Sequence, residues 1–222
     1  MTYLKNKNRP MKKNIWLTMI LLMGLCVVSC SSDDDENNLT PKGVSAVDLG
    51  LPSGTKWASC NVGANSPEDG GSLYAWGEVN EKGVYEWSNY IHCDGTSESC
   101  HDIGKNISGT QYDVARLKWG GKWRMPTYEE FKELFDNCTH EQIMYHYVSG
   151  IKFTGKNGNS IFLPSFPLKD KAVNHSGYYW TGTQETDVTA KSGAYCFTFV
   201  EDNGYWVYGS SCLGLAVRPV MK

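Results

Sequence analysis

The residues of this chain best equipped for chemistry are its thiols. Cys60, Cys93, Cys100, Cys138, Cys196 and Cys212 lie downstream of residue 43, while Cys26 and Cys30 stand near the start. In an exported chain an even set of six reads as a disulfide framework, with many pairings open. Cys93 and Cys100 enclose six residues rich in Gly, Ser and Asp, which suits a staple across one loop. His92 and His101 flank them, and two imidazoles with two thiolates are also the donor set of a structural zinc site. Neighbours in an extended chain point to opposite sides, which keeps these four from converging, so the expectation is a disulfide and no metal. Hydrolytic chemistry finds no support. The five histidines (92, 101, 140, 146 and 175) are scattered, and neither Gly-x-Ser-x-Gly nor His-Glu-x-x-His occurs. Glu129, Glu130 and Glu133 fall where a helix start favours negative charge, so they read as capping and solvent-facing groups. No catalytic residue and no cofactor are expected.

Cys30 belongs to a different argument. Lys12 and Lys13 precede an apolar run over residues 15–28, too short to span a bilayer comfortably and typical of a secretory signal. Val27-Val28-Ser29-Cys30 resembles the bacterial lipobox, which implies that Cys30 is acylated, for example with palmitate, and begins the mature protein. Several acyl chains, at roughly 0.8 kcal/mol per buried CH₂, make a durable anchor. Asp33, Asp34, Asp35 and Glu36 resemble the acidic export signal of Bacteroidetes surface lipoproteins, which implies display on the outer membrane. A plain secretory signal and a periplasm-facing spacer are the competing readings. Met11 serves as a start as well as Met1. The expected organisation is a signal over residues 1–29, an acidic tether over 30–42 and one folded domain over 43–222.

Residues 1–29 hold five basic residues and no acids. Past them the 21 basic residues fall to 16 against 24 acids, a charge of −8, half of it in the four tether acids. No basic stripe of the kind a phosphate backbone needs is present, so nucleic acid is not an expected partner.

The elements that position these residues follow from local pattern. Thr127 and Glu130 form a Thr-x-x-Glu capping box just after Pro126, and Phe131, Leu134, Phe135 and Cys138 recur at i, i+3, i+4 and i+7. A shorter helix over 112–119 ends at Gly120-Gly121. Residues 151–154 and 160–163 flank Lys156-Asn157-Gly158-Asn159, and 194–200 and 205–208 flank Asp202-Asn203-Gly204, two hairpin signals. Residues 177–180 and 213–220 supply two more strands. Helices early and antiparallel strands late predict an α+β domain.

Six landmarks in order carry a family resemblance. They are Val47-Asp48-Leu49-Gly50-Leu51-Pro52-Ser53-Gly54-Thr55-Lys56-Trp57, Tyr74-Ala75-Trp76-Gly77-Glu78, Trp119-Gly120-Gly121-Lys122-Trp123-Arg124-Met125-Pro126-Thr127, Asn159-Ser160-Ile161-Phe162-Leu163-Pro164, Gly177-Tyr178-Tyr179-Trp180 and Gly214-Leu215-Ala216-Val217-Arg218-Pro219-Val220. Together they resemble the Fibrobacter succinogenes major paralogous domain family of Bacteroidetes surface lipoproteins. Arg124-Met125-Pro126-Thr127-x-x-Glu130-Phe131 is also similar to a signature of formylglycine-generating-enzyme-like domains. The resemblance implies a C-type-lectin-like fold, with two short helices on a twisted antiparallel sheet and long loops. It further implies Cys60 bonded to Cys138, leaving Cys196 and Cys212 as the last pair, and Arg124 and Arg218 as buried struts.

The function expected from this reading is non-catalytic binding of an extracellular glycan or protein. Loops of such folds carry recognition, and Tyr and Trp offer large rigid contacts. The candidate ligand-binding residues are Gln184, Glu185, Tyr195, Tyr205, Trp206 and Tyr208, with Tyr178, Tyr179, Trp180 and Thr181 alongside. Period-2 alternation divides them between two faces, and Trp180 and Trp206 also fit a core. A structural subunit of a fimbrial or glycan-uptake assembly is the alternative. A formylglycine-generating-type enzyme is the third reading, but it needs a cysteine pair near the C-terminus, and Cys212 stands alone there. Calcium is not expected, since Asp202-Asn203 offers too few oxygens.

Overall fold

The computed structural model describes residues 38–166, 176–184, 192–200 and 202–222. The signal segment, Cys30, the tether acids and Glu185 lie outside them. Among the described residues no helix is long and apolar enough to cross a membrane. The end of the expected tether is bonded to the domain. Leu39 N–H donates to Trp119 O at 2.7 Å, and the Trp123 indole donates to Thr40 Oγ1 at 2.7 Å.

The domain is α+β. In chain order it comprises β1 (Ala46–Asp48), β2 (Lys56–Ala58), α1 (Val114–Trp119), α2 (Tyr128–Asn137), β3 (Thr139–Tyr145), β4 (Val148–Thr154), β5 (Ser160–Pro164), β6 (Ser176–Gln184), β7 (Gly193–Val200), β8 (Asn203–Ser210) and β9 (Val220–Met221). The strands form three antiparallel three-stranded sheets: β1-β2-β9, β3-β4-β5 and β6-β7-β8. In the first, Trp57 pairs with both Val47 and Val220, which brings the two ends of the domain together.

Capping sets both helices. Thr127 and Glu130 close the expected box on α2, whose apolar stripe buries Phe131 and Leu134. The first helix begins two residues later than periodicity places it, because Asp113 takes the cap. Its Oδ1 accepts from Ala115 and Arg116 N–H, and its Oδ2 accepts from Gly109 N–H at 2.6 Å and Met125 N–H at 2.8 Å. One buried carboxylate thus satisfies the helix start and ties two loops to it.

The sheet β6-β7-β8 divides the core. Trp180, Ala194 and Cys196 face a cluster with Trp119, Trp123, Tyr74 and Val217. Tyr179, Phe197 and Phe199 face the other way, onto Phe131, Leu134 and Phe153. A sheet covered on both faces explains why these strands lack clean apolar–polar alternation. Two indoles lock the segment before α1 onto it: Trp76 Nε1 donates to Thr181 O at 2.9 Å and Trp180 Nε1 donates to Tyr74 O at 2.8 Å.

Two expectations need correction, and one hairpin has no counterpart in the sequence reading. Residues 213–220 are not one strand. Leu215 bridges to Tyr74, Ala216 to Tyr179 and Val220 to Arg124, so the segment threads between three neighbours and its backbone bonds are divided among them. The last hairpin turns earlier than Asp202-Asn203-Gly204 suggests, since Val200 pairs with Asn203 and Phe199 with Gly204. β3 and its hairpin with β4 escaped the sequence pattern: its residues Thr-His-Glu-Gln-Ile-Met-Tyr do not alternate. Its turn uses His146 and Tyr147 at positive φ (46° and 68°) rather than glycine.

Candidate functional site

Both arginines named by the resemblance are hydrogen-bonded to groups of the domain itself, Arg218 buried and Arg124 half-buried. Arg218 is fully buried, and its guanidinium donates to Asn61 Oδ1 at 2.7 Å, Ala58 O at 3.0 Å and Phe162 O at 2.8 Å. Burial pulls its pKa below the usual arginine value. Arg124 donates to Glu130 Oε2 at 2.7 Å, Ser108 Oγ at 3.1 Å and Met125 O at 3.2 Å.

The cysteines divide differently from the expected framework. Cys93 and Cys100 form a disulfide, so the two thiolates a zinc ion would need are consumed. His92 Nε2 lies 3.0 Å from Gly77 O and His101 Nε2 lies 3.4 Å from Asp94 Oδ2. Cys60 and Cys138 are free, as are Cys196 and Cys212. Each of these expected pairs is split by the core. Cys60 packs with Ala58 and Val62, whereas Cys138 closes α2 in a separate core cluster. Cys196 sits under β7 beside Trp180, whereas Cys212 lies with Ala75, Tyr90 and the Cys93–Cys100 disulfide. Burial pushes the Cys196 thiol up to about 12 and the Cys138 thiol to about 11, which leaves little thiolate for any reaction. Among the described residues no three His, Cys, Asp or Glu side chains form a metal-sized group.

Register decides which of the expected ligand-binding residues meet. Tyr195 pairs with Tyr208 and Phe197 with Trp206, so these four side chains share the face toward α2. Tyr205 pairs with Thr198 and points to the opposite face. Tyr205 and Tyr208 are both exposed, 48% and 42%, but they do not form one patch. Gln184 is buried at the end of β6, and its N–H donates to Lys105 O. Tyr179, Trp180 and Thr181 are buried in the core.

The face toward α2 gains a residue that pattern reading missed. Tyr128, the first residue of α2, stacks on Tyr195 with ring centroids 4.7 Å apart and meets Trp206 edge-on at 6.2 Å. Its backbone N–H donates to Thr183 Oγ1 at 3.1 Å, which pins the helix start to β6. Phe135 closes the inner side against Trp206 at 5.4 Å. The indole N–H of Trp206 is buried without a hydrogen-bond partner, so Trp206 serves as backing, and Tyr128, Tyr195 and Tyr208 form the accessible part. The signal was present: Tyr128 stands three residues before Phe131 and seven before Phe135, on the same helical stripe.

Set against models of protein families, curated proteins and solved structures, the chain matches none. The fold and this face define an α+β domain with a partly exposed, rigidly backed aromatic platform.

Proposed function

We propose that this chain is an outer-membrane lipoprotein, anchored through acylated Cys30 and displayed at the cell surface, whose C-type-lectin-like domain is a non-catalytic module that binds an extracellular glycan. The observation that carries the binding reading is the platform of Tyr128, Tyr195 and Tyr208 backed by Trp206 and Phe135. Tyrosines held by packing present a flat apolar face with a polar tip at low entropic cost, which suits the C–H face and hydroxyl rim of a sugar ring. The lectin-like assignment draws support from the ordered landmarks between residues 47 and 220 and from two helices preceding a central antiparallel sheet. The anchor draws support from the apolar run and the motif ending at Cys30.

Binding to a glycan array tests the module. Tyr128→Ala and Tyr208→Ala are expected to weaken a positive signal about tenfold, roughly 1.4 kcal/mol. Tyr205→Ala, on the opposite face, should leave it unchanged. Equal loss in all three, or no glycan bound, overturns the glycan reading; capture of a protein ligand by the same face would replace it. Metabolic labelling with palmitate, absent in Cys30→Ser, tests the anchor separately.

A further inference from the structure

A second concave surface lies away from the platform residues. It is a cleft of about 450 Å³ built by the segment after Trp76 and by the approach to α1, with Glu78, Asn80, Lys82, His92, Gln111 and Tyr112 among its walls. That volume is in the range of small-molecule sites, about 300–1,000 Å³.

The cleft is held in shape. Gly77 sits at φ 78°, and a Cβ there would lie 2.5 Å from Ile103 Cδ1 and 3.3 Å from His92 Nε2, so only glycine permits the turn that sets His92 in place. Tyr90 Oη donates to Trp76 O at 2.8 Å, and His101 N–H donates to His92 O at 2.7 Å beside the Cys93–Cys100 disulfide. On the inner side Glu78, 3% exposed, accepts from Lys82 Nζ at 2.7 Å and from Ile91 N–H at 2.8 Å. Lys82 also donates to Asn89 O. Glu78 and Lys82 therefore cancel each other, and a charged ligand would find no unpaired counter-charge. Both Glu78 oxygens and Asn89 O lie within reach of the Lys82 ammonium, so this pair shapes the cleft wall and leaves recognition to the neighbouring side chains.

The remaining walls mix aromatic, amide and aliphatic groups. Tyr112 stands edge-on to His92 at 5.4 Å. Asn80 and Gln111 are exposed, and each amide offers donors and an acceptor. Ile91, 67% exposed, adds an apolar ledge. Exposed amides beside an aromatic ring and an aliphatic side chain match a small, uncharged ring with hydroxyls on its rim and C–H groups on its face.

From this arrangement we propose that the cleft around Glu78, Lys82, His92, Gln111 and Tyr112 is a second binding site, for a single neutral monosaccharide unit. It works independently of the tyrosine platform.

Saturation-transfer NMR of the full chain with glucose, galactose, mannose and N-acetylglucosamine, each as the free sugar, tests it. At least one sugar is expected to receive transfer, and Gln111→Ala and Tyr112→Ala are each expected to weaken it about tenfold. Gln111 is exposed, so its variant reports on contact rather than folding. Tyr208→Ala should leave the transfer intact, and glucuronate should receive less than glucose. Absence of transfer from all four sugars overturns the proposal. With the platform removed by Tyr208→Ala, transfer that is already absent, or that survives both cleft variants, overturns it as well.

Discussion

Replacing Glu130 with Gln tests how α2, and Tyr128 at its start, is held. Glu130 is 8% exposed and uses both oxygens. Oε2 accepts from Arg124 Nη1 at 2.7 Å and from Thr127 N–H at 3.0 Å, and Oε1 accepts from Thr55 Oγ1 at 3.2 Å and from Arg124 Nη2. Burial pushes the carboxyl up, but Arg124, the Thr127 N–H and the Thr55 hydroxyl outweigh it and hold the group below its ordinary 4.5. Glutamine keeps the shape and one acceptor but sets an amide donor against the Arg124 guanidinium or the Thr127 N–H, both of which are donors. Breaking one partner out of a buried pair costs about 3–5 kcal/mol. The Arg124 side chain keeps 22% exposure, so water recovers part of its solvation, and glutamine retains one bond. The expected loss at neutral pH is about 2–3 kcal/mol. A carboxyl whose folded pKa is depressed stabilises fully above its unfolded value, and that contribution is lost as pH falls through the folded one. The gap between wild type and Glu130→Gln should therefore close below 4.5. Urea unfolding followed by tryptophan fluorescence at neutral and acid pH measures both quantities. A gap under about 1 kcal/mol at neutral pH, the worth of a surface pair, or one that persists in acid, refutes the reasoning.

Gly204→Ala should destabilise the domain by about 1–3 kcal/mol, because its Cβ would lie 2.4 Å from Phe135 Cε2 and 2.8 Å from Phe197 Cε2. An unchanged melting temperature would mean that Phe135 does not press on β8. Alkylation after denaturation without reductant should label Cys60, Cys138, Cys196 and Cys212 and spare Cys93 and Cys100. In the native state Cys196 should react slowest, since burial raises it furthest. A peptide joining Cys60 to Cys138, or Cys196 to Cys212, would overturn the cysteine assignment.

Local rules acted where one segment carries its own instructions. The capping box of α2, the hairpin around Asn157-Gly158 and the Cys93–Cys100 staple each depend on residues a few positions apart, and each stands as the sequence predicts. The α+β class follows from the same local signals. Gly204 shows the opposite case: it reads as a turn residue, yet its place is in β8, under the ring of Phe135 from a distant helix.

The sequence by itself determined what each short segment prefers, and it placed Tyr195, Trp206 and Tyr208 in strands. Only the tertiary structure decided which of them share a surface. A strand register offset by one residue inverts every side chain, so the pairing of Tyr195 with Tyr208 excluded Tyr205, and helix docking brought in Tyr128. The remaining thiols obeyed the same rule. An even count allows many pairings, but Cys60 and Cys138 belong to separate core clusters, and no local pattern announces what a core will separate.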